Sequence, residues 1–264
     1  MSNPFDSAPM RDRFDPELTE HLALPILRQL YNNWFRVTVN GIDNLPEEGP
    51  VLLVANHSGT IAVDAMMLMV AVHDEPEKPR HLRLLGADFM LNTPIVGQAV
   101  KRFGATVANP KDALELVQRG EAIGVFPEGT KGTGKPFAQR YRLQRFGRGG
   151  FAALALQTGT PIIPVSIMGA EEIYPLIGNM PRLARKLGLP YFPVTPTFPF
   201  LGPLGLVPLP TKWTIEFGKP VETAGAEYDA HSARDVFALA DSVKKTIQAT
   251  LDGLLEQRGS IFGD

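Results

Sequence analysis

The stretch from Val51 to Ala55 is an unbroken apolar run that ends in the polar turn Asn56-His57-Ser58-Gly59-Thr60. A strand made only of apolar residues is typical of one that is buried on both faces. The residues from Ile61 to Val72 then predict a helix. A buried strand that leads through a polar turn into a helix favours an open α/β sheet, in which functional sites lie beyond the carboxyl ends of the strands.

The same alternation of strands and helices continues along the chain. Further strands are predicted at 36–40, 83–86, 104–108, 122–126, 161–167 and 212–217, and helices are predicted to begin near Asp15, Asn92, Asn109, Gly149 and Ser232. This pattern predicts an α/β sandwich with a largely parallel central sheet flanked by helices. We expect one domain over residues 36–264, preceded by a tail and an amphipathic helix in residues 1–35.

The composition excludes several classes of protein. The 264 residues carry a net charge of −2, which argues against a nucleic-acid binder. The chain has no cysteine, so disulfides, thiolate catalysis and thiolate metal sites are excluded. The first residues have neither a basic nor an apolar signal segment, and we expect a protein of the cytoplasmic side. No metal site is predicted.

The first predicted helix is amphipathic. One face carries Leu18, Leu22, Ile26, Leu30 and Trp34. This face either packs on the domain or lies in a membrane interface, and the sequence favours neither alternative. Pro25 argues against a straight helix in both cases.

The segment 188–211 has no charged residue and contains seven prolines, which exclude a transmembrane helix. A long uncharged loop is often functional. Its phenylalanines are expected to enter a bilayer or to cover an acyl chain, although an extended segment packed along the core is the plainer alternative. Met66, Met67 and Met69 are either part of the core or the lining of an acyl tunnel.

His57 is the leading candidate for chemistry. It follows a strand, and an acid, Asp64, comes within two turns of helix. An imidazole held by a carboxylate is the usual general base, able to take a proton from a hydroxyl that then attacks an acyl group. The alternatives for Asp64 are a surface position or a bond to a backbone N–H.

A second polar turn, Pro127-Glu128-Gly129-Thr130-Lys131, follows the predicted strand at 122–126. Glu128 is expected to order substrate hydroxyls or nearby basic groups, and Gly129 allows the backbone to approach a ligand closely.

The segment that begins at this turn is basic. No acid occurs from Gly129 to Ala170, whereas six basic residues do: Lys131, Lys135, Arg140, Arg142, Arg145 and Arg148. This basic segment predicts phosphate binding, on a lipid headgroup, a glycerol phosphate or coenzyme A.

These blocks, in this order, resemble the glycerolipid/lysophospholipid acyltransferase family. Asn56-His57-Ser58 is similar to the family's catalytic histidine block, Gly104-Ala105-Thr106-Val107 to its second block, Phe126 to Lys131 to its third and Thr160 to Val165 to its fourth. The resemblance covers residues 37–220. It implies acyl transfer from acyl-CoA or acyl carrier protein to a glycerolipid hydroxyl, with these carriers as co-substrates and no resident cofactor.

The chain departs from the family pattern in two places. The family's acid is expected at position 62, which is Ala62 here, so either a longer turn lets Asp64 reach His57 or another group orients the imidazole. The second block lacks the family's phosphate-binding arginine. The segments 148–151 and 169–174 resemble the mono/diacylglycerol acyltransferase-like branch, which favours a neutral acceptor, whereas the basic segment favours lysophosphatidate unless it binds coenzyme A.

The resemblance implies roles for the residues that match its motifs. His57 would be the base and Asp64 its orienting acid, and the substrate-binding set would be Ser58, Gly59, Glu128, Gly129, Thr130, Lys131, Arg140, Arg145 and Arg148. We expect the protein to sit peripherally on the inner face of the membrane through the N-terminal helix and the 188–211 loop. The alternatives are a non-catalytic lipid-binding protein on the same fold and a lipid or thioester hydrolase, although no Gly-x-Ser-x-Gly motif is present.

Overall fold

The computed structural model describes residues 13–86, 91, 93, 96–147, 149–225 and 228–263. Its centre is a seven-stranded sheet in the order β1-β9-β6-β2-β5-β3-β4. The strands are Thr38–Asn40 (β1), Val51–Ala55 (β2), Leu82–Gly86 (β3), Ala105–Val107 (β4), Ala122–Val125 (β5), Ile162–Met168 (β6) and Thr214–Phe217 (β9). A separate hairpin pairs Gly178–Asn179 (β7) with Pro193–Val194 (β8).

The predicted α/β sandwich with a largely parallel sheet is confirmed. Within the main sheet β6 and β9 pair antiparallel, and the other neighbouring strands run parallel. Alternate residues of β2 enter two different cores, which explains its unbroken apolar sequence. Leu53 packs into one core with the N-terminal helix, whereas Leu52 and Val54 pack into the other with the C-terminal helix.

The described helices cover both faces of the sheet. The N-terminal helix, α1, consists of Pro16–Leu18, Thr19–Ala23, Leu24–Gln29 and Leu30–Trp34, of which the second and fourth segments are wide π-helical turns. The others are Val63–Asp74 (α2), Val96–Arg102 (α3), Pro110–Gln118 (α4), Thr130–Thr133 (α5), Gly150–Thr158 (α6), Pro181–Leu187 (α7) and Ala233–Gln257 (α8). The predicted helix start at Asn92 lies outside the described residues, and α7 was not predicted.

The apolar stripe of α1 is not the face that fills the core. Leu24, Tyr31 and Phe35 are buried against the domain, whereas Leu22 and Ile26 are exposed. One face of the helix therefore packs on the domain, and a second apolar face remains on the surface. The wide turn Thr19–Ala23 precedes Pro25, and the helix continues beyond it.

The proline-rich segment, residues 188–211, is neither a core strand nor a simple loop. It contributes β8 and a short 3₁₀ turn, Gly202–Leu206, and it carries some of the most exposed large apolar side chains, Phe200 and Leu204. None of the described helices has the length and the apolar character that a membrane span needs.

Candidate active site

The two polar turns meet at one edge of the sheet. Strands β2 and β5 are parallel neighbours, with Val54 beside Val125, so both chains leave the sheet at their carboxyl ends on the same side. Asn56 fixes the end of β2 to β6, because its side chain donates to the Ile167 carbonyl at 2.9 Å and accepts from the Ile167 N–H at 2.7 Å. The first residue after this anchored point is His57.

His57 and Asp64 form a hydrogen-bonded pair. His57 Nδ1 lies 2.8 Å from Asp64 Oδ2, so the imidazole donates its Nδ1 proton to the carboxylate and its Nε2 is left as the basic nitrogen. Asp64 is fully buried and also accepts the backbone N–H groups of Ser58 and Ala65, each at 2.8 Å. Its position in the first turn of α2 places the carboxylate at the positive end of the helix dipole, which stabilises the buried anion.

A compact loop accommodates the longer spacing between the two residues. Gly59 has φ +88° and Thr60 has φ +61°, and a hydrogen bond joins the Ile61 N–H to the Gly59 carbonyl. The Val63 N–H then donates to the Ile61 carbonyl at 2.6 Å, around Ala62 at φ −69°, ψ 51°, an inverse γ-turn. The chain thus folds back, and Asp64 rather than position 62 reaches the imidazole.

Glu128, which follows the neighbouring strand β5, fixes the histidine turn, residues 56–60. One carboxylate oxygen accepts the backbone N–H of His57 at 3.0 Å, and the other accepts that of Gln144 at 2.6 Å. Gly132, in α5, permits this approach, because a Cβ there would lie 2.4 Å from the His57 carbonyl oxygen. Glu128 is buried and both of its oxygens have protein partners, so its contacts are those of a positioning group rather than of the expected substrate-binding group.

Lys135 belongs to this buried network. Its ammonium lies 2.9 Å from Glu171 Oε1 and 3.8 Å from Glu128 Oε2, and it donates to the Arg142 carbonyl at 3.1 Å. Burial raises the pKa of Glu171 to about 7, an effect that the Lys135 charge opposes. Lys135 is therefore not part of a phosphate-binding surface, contrary to the interpretation of the basic segment as one set of ligands.

A cavity of about 870 Å³ opens beside His57. Its lining is almost wholly apolar and comes from α1, α2, the strands β3 and β4, and the proline-rich segment, including Ile26, Met66, Met69, Leu84, Ala105 and Phe198. Strand β4 lies three positions from β2, roughly 14 Å away at about 4.8 Å per strand. The cavity is thus an elongated apolar chamber with the imidazole in its wall.

The predicted site residues separate into three groups. His57, Gly129 and Thr130 line the cavity. Ser58, Gly59, Glu128 and the fully buried Asp64 are buried around the histidine turn and are not among its lining residues in the described part of the chain. Lys131, Arg140 and Arg145 are exposed, Arg140 lies over the Phe137 ring, and Arg148 falls outside the described residues.

The three methionines of α2 divide between the core and the cavity. Met67 is buried in the core, whereas Met66 and Met69 reach the cavity.

Comparison with known families identifies the family of this chain. The profile of the family described as Acyltransferase matches residues 36–168, just over half of the chain. This chain belongs to the acyltransferase family. The match begins before β1 and ends with β6, so it contains both strand-end turns and the His57–Asp64 pair.

Similar proteins agree with the assignment. An uncharacterized protein of Mycobacterium tuberculosis is 52% identical over 250 residues, which cover 94% of this chain and 70% of that protein. A Bos taurus protein named "DGAT1/2-independent enzyme synthesizing storage lipids" is 26% identical over 223 residues, covering 83% of this chain and 60% of its own. The crystal structure of the 1-acyl-sn-glycerophosphate (LPA) acyltransferase PlsC from Thermotoga maritima shares the fold, with a TM-score of 0.59 and 21% identity over 95% of this chain and 86% of that one.

Several residues of this candidate site were not predicted from the sequence. Asn56 and Gly132 fix the two turns, and Tyr191 donates its hydroxyl to the Thr60 carbonyl at 2.6 Å, which joins the histidine loop to the proline-rich segment. Asn56 was visible within the Asn-His-Ser block. Nothing in the sequence near Tyr191 pointed to His57, because 131 positions separate Tyr191 from Thr60.

Proposed function

We propose that this acyltransferase moves a fatty acyl group from acyl-CoA or acyl carrier protein to a hydroxyl of a glycerolipid. The observation that carries the proposal is the His57–Asp64 pair beside a long apolar cavity. A general base is needed to activate a hydroxyl, and an apolar chamber is needed to hold an acyl chain. Acceptors of this class include lysophosphatidate, other lysophospholipids, and mono- or diacylglycerol.

The proposed reaction uses the imidazole twice. His57 Nε2 takes the proton of the acceptor hydroxyl as its oxygen attacks the thioester carbonyl, giving a tetrahedral oxyanion. Collapse of this intermediate breaks the carbon–sulfur bond, and the departing thiolate receives the proton from Nε2. Asp64 holds the Nδ1 proton throughout and stabilises the imidazolium that forms between the two steps.

Backbone N–H groups at one of the two strand-end turns would stabilise the oxyanion. Gly129 and Thr130 reach the cavity wall beside His57, so the acceptor or the thioester would contact that turn. Lys131, Arg140 and Arg145 remain exposed beyond it and are proposed to bind phosphate groups of coenzyme A or of the lipid.

Release of free coenzyme A tests this function. The chain has no cysteine, so a thiol reagent will report only the coenzyme A that is set free. With palmitoyl-CoA as donor, we expect release when lysophosphatidate, monoacylglycerol or diacylglycerol is supplied, together with acylated product. Release without any acceptor would instead identify a thioesterase, and binding of the lipids without release would identify a lipid-binding protein.

A paired substitution tests whether the acyl chain binds in the cavity. Ala105→Phe fills the chamber on β4, far from His57, and is expected to shift the donor preference towards shorter acyl chains. Thr106→Phe is the matched control, because neighbouring residues of a strand point to opposite faces and Thr106 is not among the described lining residues. Equal chain-length profiles in the two variants would contradict binding in this cavity.

We also propose that the cavity opens towards a lipid surface. The exposed apolar side chains of α1 and of the proline-rich segment belong to the same region, since Trp34 Nε1 donates to the Pro208 carbonyl at 2.9 Å. Ile26 is 60% exposed and Leu204 73%. The exposed cations Arg182, Arg185 and Lys186 of α7 would meet anionic headgroups. This arrangement supports peripheral association with the cytoplasmic face of a membrane.

The double substitution Phe200→Ser and Leu204→Ser is expected to weaken binding to anionic phospholipid vesicles. Losing two inserted apolar side chains removes about 3 kcal/mol, on the order of a hundredfold in affinity. Vesicle co-sedimentation measures this, and Phe237→Ser, which removes an exposed aromatic ring from α8, is the control. Unchanged co-sedimentation of the double variant would exclude this surface as the membrane contact.

A further inference from the structure

Glu20, His73 and His81 converge at the C-terminal end of α2, whereas Asp64 lies at its N-terminal end, and the acyltransferase function does not use them. One potential ligand atom from each lies within 4.8 Å of the others. Glu20 belongs to the wide turn Thr19–Ala23 of α1, His73 to the last turn of α2, and His81 immediately precedes β3. Three separate elements therefore contribute one nitrogen or oxygen ligand each, and π-helical turns such as this one are frequent at functional sites.

The surroundings of His73 are those of a metal ligand. Its Nδ1 lies 2.7 Å from Asp74 Oδ1, which directs Nε2 away from the carboxylate and leaves it free to coordinate. Asp74 is held in turn by the Arg28 guanidinium through two hydrogen bonds of 2.6 Å. A carboxylate that orients a histidine through its second nitrogen is the usual support of zinc-bound imidazoles.

His81 turns one ring nitrogen towards Glu20. Its Nε2 lies 3.1 Å from Glu20 Oε1, and its ring packs edge-on against Phe14. Nε2 donates a proton to the carboxylate in this arrangement, so a metal ion that binds at this nitrogen displaces that proton to solvent.

The neighbouring guanidinium groups have partners of their own. Arg28 is paired with Asp74, and the guanidinium of Arg80 donates to the backbone carbonyls of Pro46, Gly49 and Gly120. Glu20 is the carboxylate that faces the histidines. A tetrahedral site with bonds of about 2.1 Å needs ligand atoms about 3.4 Å apart. The side chain of Glu20 is 46% exposed, so it can rotate inward to reach this separation.

We propose that Glu20, His73 and His81 bind one divalent transition-metal ion, for which Zn²⁺ is the best match. Two imidazoles and one carboxylate are a ligand set that Zn²⁺ accepts, with water in the fourth position. The ion joins α1 to α2 and β3. Because Leu22, Ala23 and Ile26 of α1 line the apolar cavity within two turns of Glu20, the ion also fixes one wall of that cavity.

Metal titration of the full chain tests the site. After treatment with a chelator and its removal, we expect calorimetry to show one equivalent of Zn²⁺, and Co²⁺ to give the intense visible bands of tetrahedral coordination. Glu20→Gln and His81→Gln should each weaken Zn²⁺ binding by at least about tenfold. His21→Gln, an exposed histidine of the same turn, and His231→Gln are matched controls and should bind as the wild type does.

Thermal unfolding separates metal binding from folding. Glu20→Gln changes a partly exposed side chain, so its Tm without metal should equal that of the wild type. Zn²⁺ should then raise the Tm of the wild type and of the His21→Gln control, but not that of Glu20→Gln or His81→Gln. Absence of binding to the wild type, or binding that is unchanged in both ligand variants, would overturn the proposal.

Discussion

His57→Ala is expected to lower the rate of acyl transfer by roughly 10²- to 10⁴-fold, the usual contribution of a general base. In the proposed mechanism only its Nε2 receives the proton of the acceptor hydroxyl, because Nδ1 is bound to Asp64 at 2.8 Å. Release of coenzyme A at saturating donor and acceptor measures the loss. Substrate binding should persist, since the apolar cavity is intact.

Two controls make this result specific. The His57 ring packs on Phe126, with ring centroids 4.6 Å apart, so alanine also removes a contact, whereas His57→Gln retains more of the volume. Both variants should show the far-UV circular dichroism of the wild type. His231→Ala, at an exposed position, should keep full activity. Turnover at the wild-type rate in either His57 variant would contradict the mechanism.

Asp64→Asn is expected to have an effect of comparable size, about a thousandfold or more in turnover. Asp64 Oδ2 accepts from both His57 Nδ1 and the Ser58 N–H, and Oδ1 accepts from the Ala65 N–H. An amide replaces one of these acceptors with a donor. If its NH₂ faces the imidazole, the proton moves to His57 Nε2 and the base is blocked.

The other orientation of the amide is costly too, because its NH₂ then faces the buried Ala65 N–H. An unsatisfied buried donor costs about 1–3 kcal/mol. The first orientation leaves the Ser58 N–H without its acceptor in the same way, so the Tm should fall in either orientation. Asp43→Asn, at an exposed position, is the matched control for the removal of one negative charge. An Asp64→Asn variant with normal turnover would show that Asp64 does not orient the base.

The central strands of the sheet were predictable from the sequence because they are buried on both faces. Such a strand has an unbroken apolar sequence, as in Val51–Ala55, and the polar turns after Val51–Ala55 and Ala122–Val125 marked where these two strands end. The antiparallel pairing of β9 with β6 was not predictable, since it depends on the path of the long segment between them. The short helix Pro181–Leu187 escaped prediction because only Ala184 of it is buried.

The site was predictable in its residues but not in its contacts. His57 and Glu128 stood out because each follows a buried strand, yet adjacency of those strands is a property of the sheet order. Whether Asp64 reached His57 depended on the backbone of Gly59 and Thr60, and positive φ at threonine is not a preference that a sequence reveals. The burial of Lys135 was not predictable either, because it depends on Glu171, which lies 36 residues further along the chain.

The loop that lengthens the spacing between His57 and Asp64 has a second consequence. Thr60, Ile61 and Ala62 form part of the cavity wall, and Tyr191 ties their backbone to the part of the wall formed by the proline-rich segment. The residues that bring the acid to the imidazole thus also shape the cavity beside it. A change in the length of this loop would alter the cavity even if the hydrogen bond survived. Under the proposed function, substrate selectivity and reactivity therefore depend on one short loop.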